Sequence, residues 1–225
     1  MSEAGLYAAA VVQAYLIGSI PFGLILAKMT VKTDIRQVGS GKTGMTNVMR
    51  AAGKKVAAVS LLLDVAKGVL AVYFAGLILV NFDPNIARAA AGLAAVGGHI
   101  WSVFLGFRGG RGVATFIGGL IPMYWPAALL GGAFIIGLGF RSRYMSLGSI
   151  TGAVIAFFYM LAMNVLRVDF IEPYPYIEYV IYAMLGAIFI YLVHRDNISR
   201  LVNGTERKIG EKPGSRVAPH STAYK

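Results

Sequence analysis

The chain has 225 residues, 57% of them hydrophobic and 14% charged, a formal net charge of +11 and a mean hydropathy of +0.66. That balance excludes an ordinary soluble globule and indicates a membrane protein. With no cysteine and only three histidines, disulfide and thiolate chemistry are excluded and neither a metal nor a cofactor is expected.

A spanning helix needs about 20 largely apolar residues, and the first such stretch is Leu6 to Leu26. It lacks a basic leader, since Glu3 stands there instead, so it reads as an uncleaved first span rather than a signal peptide. The first loop follows, carrying Lys28, Lys32, Arg36, Lys42, Arg50, Lys54 and Lys55. Within it lies Gly39-Ser40-Gly41-Lys42-Thr43-Gly44-Met45-Thr46-Asn47-Val48-Met49-Arg50. Backbone N–H groups, hydroxyls and an arginine at this density suit an anion. Gly41-Lys42-Thr43 is not a nucleotide-binding P-loop, because Arg36 occupies the position where that motif needs its first glycine. A flexible basic loop attracted to anionic lipid accounts for the lysines, but not for Ser40, Thr43, Thr46 and Asn47.

The second span is read over Val56 to Val80, with Asp64 and Lys67 three residues apart on one helix face. Charges inside the membrane are costly and tend to be functional, so the pair either orients helices or binds ligand. A third span is expected over Ala87 to Phe107. Gly98-His99 lies near its end, followed by Arg108-Gly109-Gly110-Arg111-Gly112 directly before a helix start. The amino end of that helix, with Arg111 beside it, favours a phosphate.

Gly112 to Phe140 carries no charge, is too long for one comfortable helix, and contains Pro122 and Pro126. If it crossed once, the basic first loop and the basic tail would face opposite sides. If it goes in and returns, as two short helices or a re-entrant hairpin turning at Pro122 to Pro126, both clusters lie in the cytoplasm, as positively charged loops should. Two further spans, Ser146 to Leu166 and Ile177 to Val193, complete an all-α polytopic protein of about seven segments. Its amino terminus is expected outside, its carboxy terminus and motif loops in the cytoplasm. The outer connections, Asn81 to Ile86 and Arg167 to Tyr176, carry few charges and read as connectors. Recurrent glycines in the spans point to close helix packing.

The third loop adds Arg141, Arg143 and Ser146. Beyond the last span, His194, Asn197 and Arg200 share a face if the helix continues to about Arg200. A histidine and an asparagine together can orient a hydroxyl. One transmembrane domain is expected over 1–208, and 209–225 reads as a disordered cytoplasmic tail.

Taken together these loops resemble those of the bacterial integral-membrane glycerol-3-phosphate acyltransferases that use acyl phosphate as donor. The family pattern Ser-Gly-Asn-x-Gly-Ala-Thr-Asn-x-x-Arg is matched from Ser40 to Arg50, except that Lys42 and Met45 replace asparagine and alanine. Asp64-x-x-Lys67-Gly68, Gly98-His99 and Phe107-x-Gly109-Gly110-x-Gly112-Val113-Ala114-Thr115 also match, with Arg111 where lysine is usual. Arg143 and Ser146 fit a third signature, and His194, Asn197, Arg200, Gly204, Thr205 and Glu206 a carboxy-terminal one. The resemblance implies acyl transfer to the 1-hydroxyl of glycerol 3-phosphate, giving lysophosphatidic acid and phosphate at the bacterial inner membrane. It also implies a base-free mechanism in which the donor phosphate accepts the hydroxyl proton. By the same resemblance Ser40, Arg50, His194 and Asn197 are the catalytic candidates. Gly41, Lys42, Thr43, Gly44, Thr46, Asn47, Lys67, His99, Gly109, Gly110, Arg111, Gly112, Arg143 and Ser146 join Ser40 and Arg50 in phosphate binding. Partners are the two substrates and membrane lipid, without nucleic acid, and the protein is expected as a monomer. The competing readings are a small-anion or phosphate-ester transporter, which the nearly bare outer loops disfavour, and a structural protein recruiting anionic lipid.

Overall fold

The computed structural model describes residues 2–169 and 173–211. Among them the chain is helical: α1 (Glu3–Ser19), α2 (Phe22–Val31), α3 (Met45–Ile78), α4 (Pro84–Ile100), α5 (Val113–Ser142), α6 (Met145–Leu166), α7 (Ile177–Val193) and α8 (Arg195–Val202). Short 3-10 turns occupy Ile35–Gln37 and Val103–Leu105. Five stretches are long and apolar enough to cross a bilayer: Glu3–Val31, Met45–Ile78, Pro84–Leu105, Val113–Ser142 and Met145–Leu166. The pair α7 and α8, bent by 60° at His194, makes a sixth candidate.

The ambiguous charge-free stretch is a helical hairpin. The backbone of α5 leaves the helical region at Tyr124 (φ −162°, ψ 85°), between Pro122 and Pro126, where two missing N–H groups weaken the ladder. Ile117 Cδ1 then lies 3.5 Å from where a Cβ on Gly131 would sit. In a straight helix residues so far apart in sequence would be separated by roughly 20 Å, so the two halves of α5 pack against each other. Both ends of α5 therefore return to one end of the bundle. With the halves counted separately, α1–α2 taken together and the other long helices make seven segments.

Several boundaries differ from expectation. The first span breaks at Pro21, where α1 ends and α2 begins. Residues Met45 to Lys55, read as loop, belong to α3, with Met45 to Ala52 standing ahead of a break at Gly53 (φ 84°). The third span ends at Ile100 rather than Phe107, which puts His99 in the last turn of a helix and not in a loop. The last helix stops at Val193 instead of continuing to Arg200. Of the expected tail, Ile209 is held by hydrogen bonds to Arg143, and 212–225 lie outside the described residues.

Small residues let the helices approach backbone to backbone, as membrane packing favours. A Cβ on Gly68 would strike the Thr115 carbonyl, one on Gly118 the Val65 carbonyl, and one on Gly152 the Gly131 carbonyl. Between α4, α5 and α7, Tyr182 stacks on Phe116 with ring centroids 5.5 Å apart and donates its hydroxyl to the Phe116 carbonyl at 2.8 Å.

Gly152→Leu should therefore overpack the α5–α6 contact, a loss of about 1–3 kcal/mol or more, seen as a lowered melting temperature in detergent. Gly132→Leu, at a position where a Cβ meets nothing within 4 Å, should leave the melting temperature nearly unchanged.

Candidate active site

The first loop is shaped by Asn47. Its Nδ2 donates to the carbonyls of Ile35 (2.8 Å) and Lys42 (2.9 Å), and its Oδ1 accepts from the Ser40 N–H at 3.1 Å. The Asn47 amide and the Ser40 N–H, expected on phosphate, are thus engaged within the loop. Gly39 (φ 62°) and Gly41 (φ 69°) take left-handed turns, and at Gly39 a Cβ would strike Asn47 Oδ1. Thr43 is buried, its carbonyl against Gly23. Gly44 caps α3 and Thr46 stands in its first turn. Two of the loop's cations are neutralised locally: Arg36 binds Asp34 at 2.7 Å and Lys28 lies 3.9 Å from it. The Arg36 hydrogen bonds hold the Asp34 carboxyl down at about 2. Lys42 projects into solvent. Arg50 lies beside Gly39 and within electrostatic reach of Arg207, Glu206 and Glu211.

Asp64 and Lys67 share a face as the spacing requires, and both are buried. Lys67 Nζ sits 2.9 Å from Asp64 Oδ1, donates to the Ile20 carbonyl at 3.0 Å and lies 5.9 Å from the Phe22 ring centroid. His99 Nδ1 is 3.5 Å from the same carboxylate oxygen, at the outer limit of a hydrogen bond. Lys67 and His99, expected on phosphate, instead bind Asp64. His99 Nε2 lies directly under Gly110, where a Cβ would collide with the ring. The Gly110 and Gly109 N–H groups donate to the His99 and Ile100 carbonyls, each at 2.9 Å. The glycine-rich loop is laid over the end of α4, and only residues without side chains can lie there.

Gly112 (φ 76°) then caps α5. Thr115 Oγ1 in the first turn and Arg111 Nε beside it are buried without a hydrogen-bond partner among the described residues. Burial pushes the Arg111 guanidinium down to about 10, with Glu206 opposing and Arg200 and Arg50 adding to the effect. It remains a cation at neutral pH.

The carboxy-terminal segment brings a residue that sequence reasoning left outside the site. Buried Glu206 accepts from Ser146 Oγ (2.9 Å), Asn197 Nδ2 (2.6 Å) and Arg200 Nε (2.7 Å). Burial alone would raise its carboxyl, but these three donors and the Arg200 charge hold it below the ordinary range. Ser146 therefore holds Glu206 rather than being free for phosphate. Arg143 likewise donates to the Ile209 carbonyl at 3.0 Å. Its place beside Gly204 and Thr205 in the carboxy-terminal family pattern, between Arg200 and Arg207, was the available signal for Glu206.

His194, at the bend between α7 and α8, places Nδ1 2.7 Å from the Ile190 carbonyl. Nδ1 therefore carries the proton and Nε2 is left as an acceptor. Burial and then the Arg111 charge push this ring down to about 4, so it is neutral at physiological pH. Asn197 Oδ1 is buried and unpartnered. Arg50, Arg111, Arg200, Glu206 and His194 thus form one electrostatic neighbourhood, built from the first loop, the glycine-rich loop and the carboxy-terminal segment.

A multi-pass helical membrane protein with guanidinium groups, a helix amino end and buried unpartnered polar atoms at one end of the bundle is an anion-handling protein of the lipid surface. Residues 8–204 match the family model described as glycerol-3-phosphate acyltransferase. The chain is 50% identical over 212 residues to glycerol-3-phosphate acyltransferase 3 of Dehalococcoides mccartyi, covering 90% of this chain and 95% of that one. It is 43% identical over 210 residues to the glycerol-3-phosphate acyltransferase of Caulobacter vibrioides, covering 93% and 91%. Among solved structures it resembles PlsY, an integral membrane glycerol 3-phosphate acyltransferase, in its glycerol 3-phosphate form. There the TM-score is 0.79 at 36% identity, over 91% of this chain and 96% of that one. The lysophosphatidic acid form gives 0.76 at 35% identity, covering 90% and 94%. The chain belongs to the glycerol-3-phosphate acyltransferase family.

The depressed Glu206 carboxyl contributes stability that is fully present above the unfolded value of about 4.3 and is lost as pH falls through the lower native value. Glu206→Gln should lower the melting temperature at neutral pH, removing about 1–3 kcal/mol. It should also flatten the acid limb of a melting-temperature series measured against pH.

Proposed function

We propose that this chain transfers a fatty acyl group from acyl phosphate to the 1-hydroxyl of glycerol 3-phosphate, giving 1-acylglycerol 3-phosphate and phosphate. The motif-bearing end faces the cytoplasm of a bacterial inner membrane, with the amino terminus outside, as the basic loops require. The observation that carries this reading is the group of unpartnered polar atoms, Arg111 Nε, Thr115 Oγ1 and Asn197 Oδ1, buried around the amino end of α5. Buried polar atoms are normally hydrogen-bonded, and two phosphorylated substrates would supply the missing partners.

In this reading the donor phosphate lies at the α5 amino end, against Arg111 and the Gly112 backbone, while the Gly109 and Gly110 N–H groups stay on the α4 carbonyls. The acceptor phosphate takes Arg50 and Ser40 with the glycines of the first loop. His194 Nε2 or Asn197 Oδ1 accepts from the neighbouring 2-hydroxyl and fixes the acceptor's backbone, so that the 1-hydroxyl oxygen faces the acyl carbon and its hydrogen faces the donor phosphate. Neither removes the proton: His194 is a weak base, and Glu206 already accepts three hydrogen bonds. The donor's own phosphate takes the proton as the new C–O bond forms and the acyl–phosphate bond breaks. Catalysis is then positioning and charge stabilisation. Lys67 and His99 act from beneath, holding the loop that presents Arg111.

The test is purified protein in lipid with acyl phosphate and glycerol 3-phosphate, following phosphate release. Absence of turnover with acyl phosphate would overturn the donor assignment, and absence with acyl-CoA as well would overturn the enzyme. Arg111→Ala should lower turnover by at least about a hundredfold, and Asn197→Ala by at least about tenfold. Arg111→Lys, which keeps the charge but loses the planar fork, should stay within about tenfold of the parent and change mainly the KM for the donor.

A further inference from the structure

The turn between α4 and the glycine-rich loop, Trp101 to Arg108, gives the core only Leu105, packed beside Leu24, Ala27, Ile35 and Val48, and takes no part in the chemistry proposed above. Yet Trp101, Val103, Phe104 and Phe107 are 46%, 41%, 58% and 61% exposed. Its backbone is arranged the opposite way. The Ser102 carbonyl accepts from the N–H groups of Leu105 (3.1 Å) and Phe107 (2.8 Å). Ser102 Oγ donates to the Ser19 carbonyl at 2.6 Å, and the Trp101 carbonyl accepts from the Tyr15 hydroxyl at 2.7 Å. Polar groups are thus tied inward to α1 while the apolar side chains point away. That is the arrangement required of backbone that enters a lipid environment, where unpaired groups find no water.

Two further features fix this orientation. Gly106 (φ 60°) and Phe107 (φ 62°) are consecutive left-handed residues, and for a phenylalanine that conformation costs on the order of 1 kcal/mol. The strain leaves the Phe107 ring exposed instead of packing it. Trp101 stands edge-on to Phe189 of α7, centroids 5.8 Å apart, beside exposed Ile188, Tyr191 and Leu192. The apolar surface of the turn is therefore continuous with the outer face of α7. Exposed Arg108 completes the aromatic-and-basic composition of an interfacial anchor.

We propose that the Trp101–Arg108 turn is a lipid-surface wedge, with Phe104 and Phe107 among the headgroup-proximal parts of the acyl chains and Arg108 at the phosphates. Gly109 to Arg111 follow without a spacer, so the depth of the wedge sets the depth of the α5 amino end. Resting on the acyl-transfer reading, the wedge lets a membrane-borne acyl chain reach that helix end by lateral movement within one leaflet.

Trp101 and Trp125 are the only tryptophans, and the chain has no cysteine. In a Trp101→Phe, Trp125→Phe background, Phe104→Trp or Phe107→Trp reports position in vesicles of phosphatidylcholine and phosphatidylglycerol. Lipids brominated near the headgroup should quench either reporter at least about threefold more than soluble iodide does. Stronger quenching by iodide, or quenching by neither, as a covering protein or second copy would give, overturns the wedge. Should the aromatic replacements disturb the fold, Phe107→Cys in the otherwise native chain should react with an impermeant maleimide at least about tenfold more slowly than Lys42→Cys. Equal rates overturn the proposal. Neither measurement uses turnover, so failure of the wedge and failure of the acyl-transfer reading are distinguishable.

Discussion

The buried pair of Asp64 and Lys67 is the interaction on which this end of the molecule depends. Two charges taken out of water inside an apolar bundle cost several kcal/mol each unless every contact is made. Here Lys67 adds the Ile20 carbonyl at the end of α1, and Asp64 adds His99 at the end of α4. Three helices are thereby tied at one level. The fourth participant is the glycine-rich loop, which lies on His99 and closes by hydrogen bonds to the last carbonyls of α4. The ion pair touches none of the residues assigned to substrate, yet it fixes the support on which Arg111 stands.

Glu206 plays the complementary part on the other side of the site. Arg50, Arg111, Arg200 and Arg207 repel one another, and without a buried anion the α8 segment would be pushed away from α5 and α6. One carboxylate, fixed by Ser146, Asn197 and Arg200, offsets that repulsion and orients the Asn197 amide so that its oxygen faces the opposite way. Some residues with a family signature therefore serve the site through Glu206, and Asn47 serves it by folding the first loop around itself.

Much of the fold was legible in the sequence. The charge-free stretch from Gly112 to Phe140 had to return because basic clusters on either side could not face opposite compartments, and the hairpin at Tyr124 does return. Local rules failed where long-range contacts decided. No periodicity reveals that His99 ends a helix beneath Gly110, or that Ser146 meets Glu206 sixty positions away. The Pro21 break was readable from proline chemistry, whereas the Gly53 break depends on a positive φ that sequence alone does not impose. For the candidate site, residue types and spacing singled out segments several of which the fold brings together around Arg111 and Glu206. They did not separate groups left without a partner, such as Arg111 Nε and Asn197 Oδ1, from those already engaged in shaping the loops.

The first loop has a consequence for how such a site would work. Its form is held by the Asn47 amide and two left-handed glycines, so its own contacts set its shape before an anion arrives. Little ordering entropy is then paid on association, and little is regained on release. An anion held by a preset loop can leave as quickly as its charge pairs dissociate. Rigid phosphate mimics would gain more from this loop than flexible ones, because the geometry they must match is already fixed.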